Sequence, residues 1–127
     1  MKYIAVVSAL AGLMACAPAQ WAYKGMHNGV DISYRWQHRT GKPAELLLRM
    51  ENTTAEDRDV SLAIDLYYQG RTVETFSADT CMRAGQTMNG KVNGFYFISA
   101  RLSNEQVKSG DAQVEMTRTA VDPGSCP

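Results

Sequence analysis

The sequence lacks an excess of charge of either sign, since 13 lysine and arginine residues are balanced by 13 aspartate and glutamate residues among 127 positions. Affinity for nucleic acid is built from many cations that neutralise phosphates, so we do not expect a nucleic-acid partner. Apolar residues make up 45% of the chain, which is well above the share in disordered chains and permits a packed core. The length suits one domain.

Catalytic and metal-binding motifs are also absent from the sequence. It has no Gly-x-Ser-x-Gly elbow, no glycine-rich phosphate loop and no His-Glu-x-x-His helix. His27 and His38 do not form a His-x-x-x-His pair, and no Cys-x-x-Cys spacing occurs. The acidic stretch at residues 56–59 lacks the spaced oxygen ligands and the glycine of a calcium loop. We therefore expect no enzyme activity, no metal and no small-molecule cofactor.

No apolar run reaches the ~20 residues that a membrane-spanning helix needs. The N-terminal apolar run covers only residues 3–13 and follows Lys2, which is the arrangement of an export signal. The sequence therefore predicts an exported protein.

The end of this run carries a more specific signal. Leu13-Met14-Ala15-Cys16 resembles the lipobox of bacterial lipoproteins. The resemblance implies a signal peptide over residues 1–15, a lipid on Cys16, a tether over residues 16–28 and anchorage in a bacterial membrane. We expect the outer membrane, with the protein on its periplasmic or its outward side. Ordinary cleavage after Ala19 is the alternative, because Ala17 and Ala19 are small residues at the two required positions.

Cysteine is scarce, and its count is informative. Of three cysteines, Cys81 and Cys126 remain after either cleavage, as an even pair in an exported chain. Disulfides form and persist outside the cytosol, whereas a cytosolic protein would keep two thiols. We therefore predict a Cys81–Cys126 disulfide.

Apolar residues recur with a period of two along three segments, which predicts strands with one buried side and one solvent side. The apolar positions are Val30, Ile32, Tyr34 and Trp36; then Leu46, Leu48 and Met50, with Leu47 as an exception on the solvent side; then Val60, Leu62, Ile64, Leu66 and Tyr68.

Turn residues separate these segments and indicate the remaining elements. Gln69-Gly70 predicts a hairpin with the strand that follows. Further strands are expected at residues 87–92, 95–102 and 112–121, and Ser103 with Gln106 forms a capping-box pattern before a short helix over residues 104–109. About seven strands over residues 29–127 favour an all-β, immunoglobulin-like antiparallel β-sandwich, with a small up-and-down barrel as the alternative.

A family resemblance agrees with this fold. Residues 48–54, 60–68, 70–73 and 84–87 resemble the pattern of bacterial FxLYD-type and related immunoglobulin-like envelope domains. Ala84 and Gln86 stand where those domains usually have proline and glutamate. The resemblance implies an immunoglobulin-like fold and an accessory or adhesive role, because the motif carries fold and not chemistry.

Aromatic residues give the only indication of a binding surface. Tyr67 and Tyr96 are out of phase with the apolar positions of their strands, and Trp21 and Tyr23 precede the predicted domain. These four side chains are the candidate surface for an envelope protein partner. We expect a non-enzymatic binding or assembly module. The alternative is a small periplasmic inhibitor or chaperone that offers a loop or an open sheet edge. Trp21 and Tyr23 also suit an edge strand.

Replacing the predicted lipid site tests the anchor. We expect Cys16→Ser to release the protein from membranes, because each buried methylene of a lipid chain contributes ~0.8 kcal/mol to anchoring. Membrane fractionation and the mass of the mature N-terminus measure the effect. Unchanged fractionation, with no acyl mass on the wild-type terminus, would contradict the prediction.

Overall fold

A computed structural model describes residues 21–93 and 95–127 of the chain. Within these ranges the backbone forms eight strands, a 3-10 turn and one short helix. The strands are β1 (Ala22–His27), β2 (Val30–Gln37), β3 (Glu45–Asn52), β4 (Arg58–Tyr68), β5 (Arg71–Met82), β6 (Thr87–Asn89), β7 (Tyr96–Ile98) and β8 (Ala112–Pro123). The 3-10 turn is Gly90–Val92, and the helix α1 is Asn104–Lys108.

The strands form two antiparallel sheets. Sheet A has the order β1-β2-β3-β6, and β7 also pairs with β3; sheet B has the order β5-β4-β8. Two separate sheets that bury one side each make a sandwich and not a barrel. The all-β antiparallel sandwich predicted from the sequence is therefore confirmed, with eight strands in place of about seven.

The extra strand lies where the sequence suggested a tether. β1 pairs with β2 along residues 22–27, so the expected tether over residues 16–28 is wrong for this stretch and the edge-strand interpretation of Tyr23 is right. A register shift between Tyr23 and Gly25 interrupts the alternation of β1, which explains why period two did not reveal it. The expected signal peptide, Cys16 and residues 16–20 lie outside the described residues.

The core lies between the inward rows of the two sheets. β4 contributes Val60, Leu62, Ile64 and Leu66, each at most 2% exposed. Sheet A contributes the inward residues of β2 and β3, among them Val30, Ile32, Leu46, Leu48 and Met50. These are the positions that the period-two pattern predicts, because alternate residues of a strand point to opposite sides.

Leu47 differs from the expectation of a solvent-side residue. It points outward from β3 but is only 3% exposed. The Gly90–Val92 turn covers it: a Cβ placed on Gly90 would lie 3.5 Å from the Leu47 Cβ. Gly90 has φ of +42°, a conformation that favours glycine. This turn also explains why β6 ends at Asn89, although the sequence suggested a strand over residues 87–92.

The other local predictions are largely confirmed. Gln69 and Gly70 both have positive φ, at +51° and +77°, and connect β4 to β5 in a tight hairpin. The capping box at the start of α1 is complete, since the Ser103 side chain accepts from the Gln106 backbone and the Gln106 side chain accepts from the Ser103 backbone. β7 is shorter than the expected strand over residues 95–102.

The C-terminal residues are joined to the corner of the sandwich where β4 begins and β5 ends, at the opposite end from the Gln69–Gly70 hairpin. Cys126 is joined to Cys81 by a disulfide with a Cα–Cα distance of 5.5 Å, as the cysteine count predicts. The Asp57 carboxylate accepts hydrogen bonds from the backbone N–H groups of Cys126 at 2.9 Å and Ala84 at 3.1 Å. These bonds, with the nearby charge of Arg83, lower the pKa of Asp57. Asp57 therefore ties the chain end to the β5–β6 connection.

Truncation of the core row tests the sandwich. We expect Ile64→Ala to destabilise the fold by about 2–5 kcal/mol, because it leaves a cavity between the sheets. Asp65→Asn, one position along on the outward side, should cost less than about 1 kcal/mol, since an amide oxygen can still accept from the Thr75 hydroxyl. Urea denaturation followed by circular dichroism measures both values. Equal losses would contradict the inward and outward assignment.

The Asp57 contacts predict a pH dependence. Because folding lowers the pKa of Asp57, its stabilisation is complete above the ordinary aspartate pKa of ~3.9 and disappears as pH falls through the lowered value. We expect Asp57→Asn to be less stable than wild type near neutral pH and to converge with it in strong acid. Asp79→Asn, on an exposed carboxylate, is the matched control. Urea unfolding across this pH range decides the matter, and a constant gap between Asp57→Asn and wild type would refute the prediction.

Candidate functional site

The outward side of sheet A carries most of the features that suggest binding. Strand register places Tyr23 beside Ser33, Ser33 beside Arg49, and Arg35 beside Leu47. Tyr96 on β7 pairs with Leu47 and therefore points to the same side. We call this surface the outer face of sheet A.

The four aromatic residues singled out from the sequence do not form one surface. Trp21, Tyr23 and Tyr96 lie on the outer face of sheet A, where Trp21 stacks on Arg35. Tyr67 pairs with Thr72 and Gln113 on the outward side of sheet B, at the opposite surface of the sandwich. The period-two pattern shows correctly that Tyr67 points away from the core, but it does not identify which sheet carries each strand.

A cleft of about 430 Å³ opens in the outer face of sheet A. Its lining contains three cationic side chains and no carboxylate. The lining residues are Trp21, Arg35, Gln37, Leu47, Arg49, Asn89, Gly90, Lys91 and Val92. We call it the basic cleft. Trp21 borders it on the β1 side and the Gly90–Val92 turn on the other, while β2 and β3 supply its floor.

Arg35 lines the basic cleft, and the environment of its guanidinium group is unusual. Its guanidinium carbon lies 4.8 Å from the centre of the Trp21 ring, within the range of a cation–π contact. Its Nε is buried and has no hydrogen-bond partner among the described residues. A buried donor without a hydrogen-bond partner is rare in folded proteins, so this part of Arg35 is unusual.

The Lys91 ammonium group contacts both the Glu45 carboxylate and the Tyr96 ring. Its Nζ lies 2.9 Å from Oε1 and 2.8 Å from Oε2 of Glu45, and 5.5 Å from the centre of the Tyr96 ring. Among the described residues the only other ion pair joins Arg58 to Glu56. Lys91 is therefore neutralised by its own partner, whereas Arg35 and Arg49 are not paired with any described carboxylate.

A second, smaller depression of about 220 Å³ adjoins the basic cleft through Arg49. Its other lining residues include Asp31 and Glu51. The Tyr23 hydroxyl donates to Asp31 at 2.8 Å, and this hydrogen bond to a carboxylate raises the pKa of Tyr23. The positive character of the outer face is thus confined to the basic cleft and gives way to carboxylates beside it.

Exposed apolar side chains also lie on the outer face of sheet A. Four large hydrophobic residues in the described ranges are 51–88% exposed, namely Tyr23, Met26, Val92 and Ile98. Met26 pairs with Asp31 and Ile98 with Glu45, so both point outward from sheet A, and Val92 lines the basic cleft. Val92 is the exposed apolar residue that lines the basic cleft, while Met26 and Ile98 lie toward opposite ends of β3.

The outward side of sheet B has a different character. The strand pairing places five carboxylates and one arginine on this side, namely Asp59, Asp65, Asp79, Glu115, Asp122 and Arg118. We call this surface the acidic face of sheet B. Among the described residues no group of three or more His, Cys, Asp or Glu side chains is arranged to hold a metal ion.

The remaining candidate residues lie apart from this surface. The Cys81–Cys126 disulfide lies at the corner described above, and Cys16 is outside the described residues. Asn52 is fully buried, and its side-chain amide donates to the backbone carbonyls of Glu56, Met82 and Arg83. The His38 Nδ1 atom lies 3.4 Å from the Asn104 Oδ1 atom. The His27 Nε2 atom lies 3.4 Å from the Lys24 carbonyl oxygen, so the two histidines have different contacts.

Comparison of the chain with models of protein families, with curated proteins and with solved structures gave no match. In the described part of the chain, no helix has the length and apolar character needed to cross a membrane. The function must therefore be inferred from the surface itself.

Sequence reasoning identified three of the aromatic residues on this surface but missed the cations. Arg35 and Arg49 were assigned to the solvent side of their strands, which is correct, yet nothing in a single strand shows that they meet. Lys91 was placed in a strand and lies in a turn. The sequence gives one indication that the two arginines lie close together. They belong to the consecutive strands β2 and β3, and consecutive strands commonly pair and bring their outward residues together.

Proposed function

We propose that this protein is a non-enzymatic binding or assembly module of the bacterial envelope, and that the outer face of sheet A is its docking surface for a protein partner. The observation that carries the proposal is the position of Trp21, Tyr23 and Tyr96 around a basic cleft. Tryptophan, tyrosine and arginine are the residues most enriched among those that dominate binding energy in protein interfaces. The acidic face of sheet B carries Tyr67 and Arg118 among five carboxylates, and among the described residues it has neither a tryptophan nor a cleft lined by several cations.

The anchor is part of the same proposal. We infer from the lipobox-like sequence that Cys16 carries lipid and holds the domain at the membrane, the outer one being expected. Cys16 precedes Trp21 by five residues, a stretch that spans at most about 18 Å when fully extended. A lipid on Cys16 would therefore keep the basic cleft close to the membrane surface, which suits a partner that is itself in the envelope.

A second candidate function rests on the edge of sheet B. β5 runs for 12 residues, Arg71–Met82, and among the strands that the structure describes it pairs only with β4. An open edge of this length can accept an additional strand from another chain. This feature supports the alternative of a small periplasmic inhibitor or chaperone, which would capture a soluble enzyme or an exported subunit for a short time.

A matched pair of tyrosine variants tests the docking surface. We expect Tyr23→Ala to reduce co-purification of the partner several-fold after mild crosslinking, because Tyr23 is 61% exposed on the outer face of sheet A. Tyr67→Ala removes the same side chain from the opposite surface and should leave co-purification unchanged. Thermal unfolding of both variants controls for stability. Loss of the partner with Tyr67→Ala alone would move the docking surface to sheet B.

The same preparation separates the two functions. An assembly module yields a partner complex that persists without crosslinker, whereas a chaperone yields a soluble client only when crosslinking traps it. A client retained by Tyr23→Ala and found only after crosslinking would favour the alternative.

A further inference from the structure

We propose that the basic cleft recognises an acidic segment of an extended polypeptide, in which one carboxylate lies beside an apolar side chain. The inference rests on the proposed function and specifies the chemistry of the partner. Its starting point is the pair Arg35 and Arg49, which are the cleft's two cations without a described carboxylate partner.

The two arginines are spaced for one ligand. Arg35 pairs with Leu47 and Arg49 follows two residues later on the same strand, so the arginines are diagonal neighbours on one side of the sheet. Cβ atoms in this relation lie about 7–8 Å apart, within reach of a common group for side chains as long as arginine. The planar guanidinium suits a carboxylate, which it can bind through two parallel hydrogen bonds.

The Trp21 contact prepares Arg35 for this role. The ring restricts the guanidinium, and the burial of Nε means that part of the arginine has already lost its water. A ligand then displaces less solvent and immobilises fewer rotamers, and both effects favour binding. Val92 lines the cleft and is 88% exposed, so it supplies an apolar surface next to the cations, whereas Leu47 is only 3% exposed and is covered by the Gly90–Val92 turn. A ligand that combines a carboxylate with an adjacent apolar group contacts both the cations and Val92.

The surroundings of the cleft argue against polyanions. Asp31 and Glu51 line the adjoining depression, and Glu45 already neutralises Lys91. A nucleic acid or a sulfated glycan would bring further negative charges against these carboxylates, and like charges at an interface are unfavourable. One carboxylate flanked by neutral residues avoids this repulsion. The cleft is also partly open to solvent on the outer face of sheet A, whereas small-molecule sites enclose most of their ligand.

Selection from a peptide library tests the proposal. The purified exported protein is used to select from random hexapeptides, and the best sequence is synthesised with blocked ends and a fluorescent label. Fluorescence anisotropy then measures binding to wild type, Arg35→Gln, Arg49→Gln and the control Arg118→Gln, which removes an arginine from the acidic face of sheet B. A second peptide carries glutamine in place of each acidic residue.

We expect selected peptides to be enriched in Asp or Glu next to an apolar residue. Arg35→Gln and Arg49→Gln should each weaken binding about tenfold, which corresponds to about 1.4 kcal/mol, and the glutamine peptide should lose a similar amount. Arg118→Gln should bind as wild type does. Added salt should weaken the interaction, because a partly exposed charge pair is screened.

Several outcomes would overturn the proposal. They are selection without acidic enrichment, equal binding of the glutamine peptide, and unchanged binding by both arginine variants. Tighter, Arg35-dependent binding to vesicles containing phosphatidylglycerol would instead assign the cleft to lipid headgroups. If Tyr23→Ala loses the envelope partner while Arg35→Gln keeps it, the docking surface stands and the acidic ligand is rejected. If both variants keep the partner, the proposed function fails as well.

Discussion

The burial of β4 between its two neighbouring strands and the inward side of sheet A is the constraint on which the rest of the structure depends. Its inward and outward residues alternate over 11 positions, and the inward side chains of Val60, Leu62, Ile64 and Leu66 are nearly inaccessible to water. Burial of this kind contributes roughly 1.5–3 kcal/mol for each large apolar side chain. A shift of register by one residue would turn the whole row toward solvent, so the hydrophobic pattern also fixes the strand pairing. The outward residues are thereby oriented without contributing to the core, which leaves them available for binding.

A polar residue fixes the end of the sandwich where the core ends. Asn52 is fully buried, and its side-chain amide donates to the carbonyls of Glu56, Met82 and Arg83 while its oxygen accepts from Thr54. One side chain thus joins the end of β3, the turn that follows and the end of β5. Short polar side chains such as Asn and Thr commonly bond the backbone in turns, but the contacts with Met82 and Arg83 depend on chain segments about 30 residues away, so no local pattern predicts them.

Sequence periodicity predicted the strands whose two sides differ in environment. β2, β3 and β4 alternate cleanly and were located correctly, as was the hairpin to β5. The periodicity did not reveal β1, because a register shift interrupts the alternation of that strand. It also misplaced Leu47, because a turn from a distant part of the chain covers this outward residue. For the candidate site, the pattern showed that Tyr67 and Tyr96 leave the core. It did not show that they leave in opposite directions, because that depends on the assignment of strands to sheets. Arg35, Arg49 and Lys91 come together only through pairing and a turn, so no local signal could assemble the basic cleft.

The separation of charge between the two outward surfaces gives this protein an electric dipole despite its net charge of zero. Five carboxylates and one arginine lie on the acidic face of sheet B, whereas on the outer face of sheet A the cations Arg35, Arg49 and Lys91 offset Asp31, Glu45 and Glu51. The thickness of two sheets packed about 10 Å apart separates the two surfaces. A neutral molecule with such a dipole experiences little net attraction from a distant charged surface, but the field of that surface exerts a torque on it. Near a negatively charged surface the molecule turns its basic cleft forward and its acidic face away, so the cleft is presented before any contact forms.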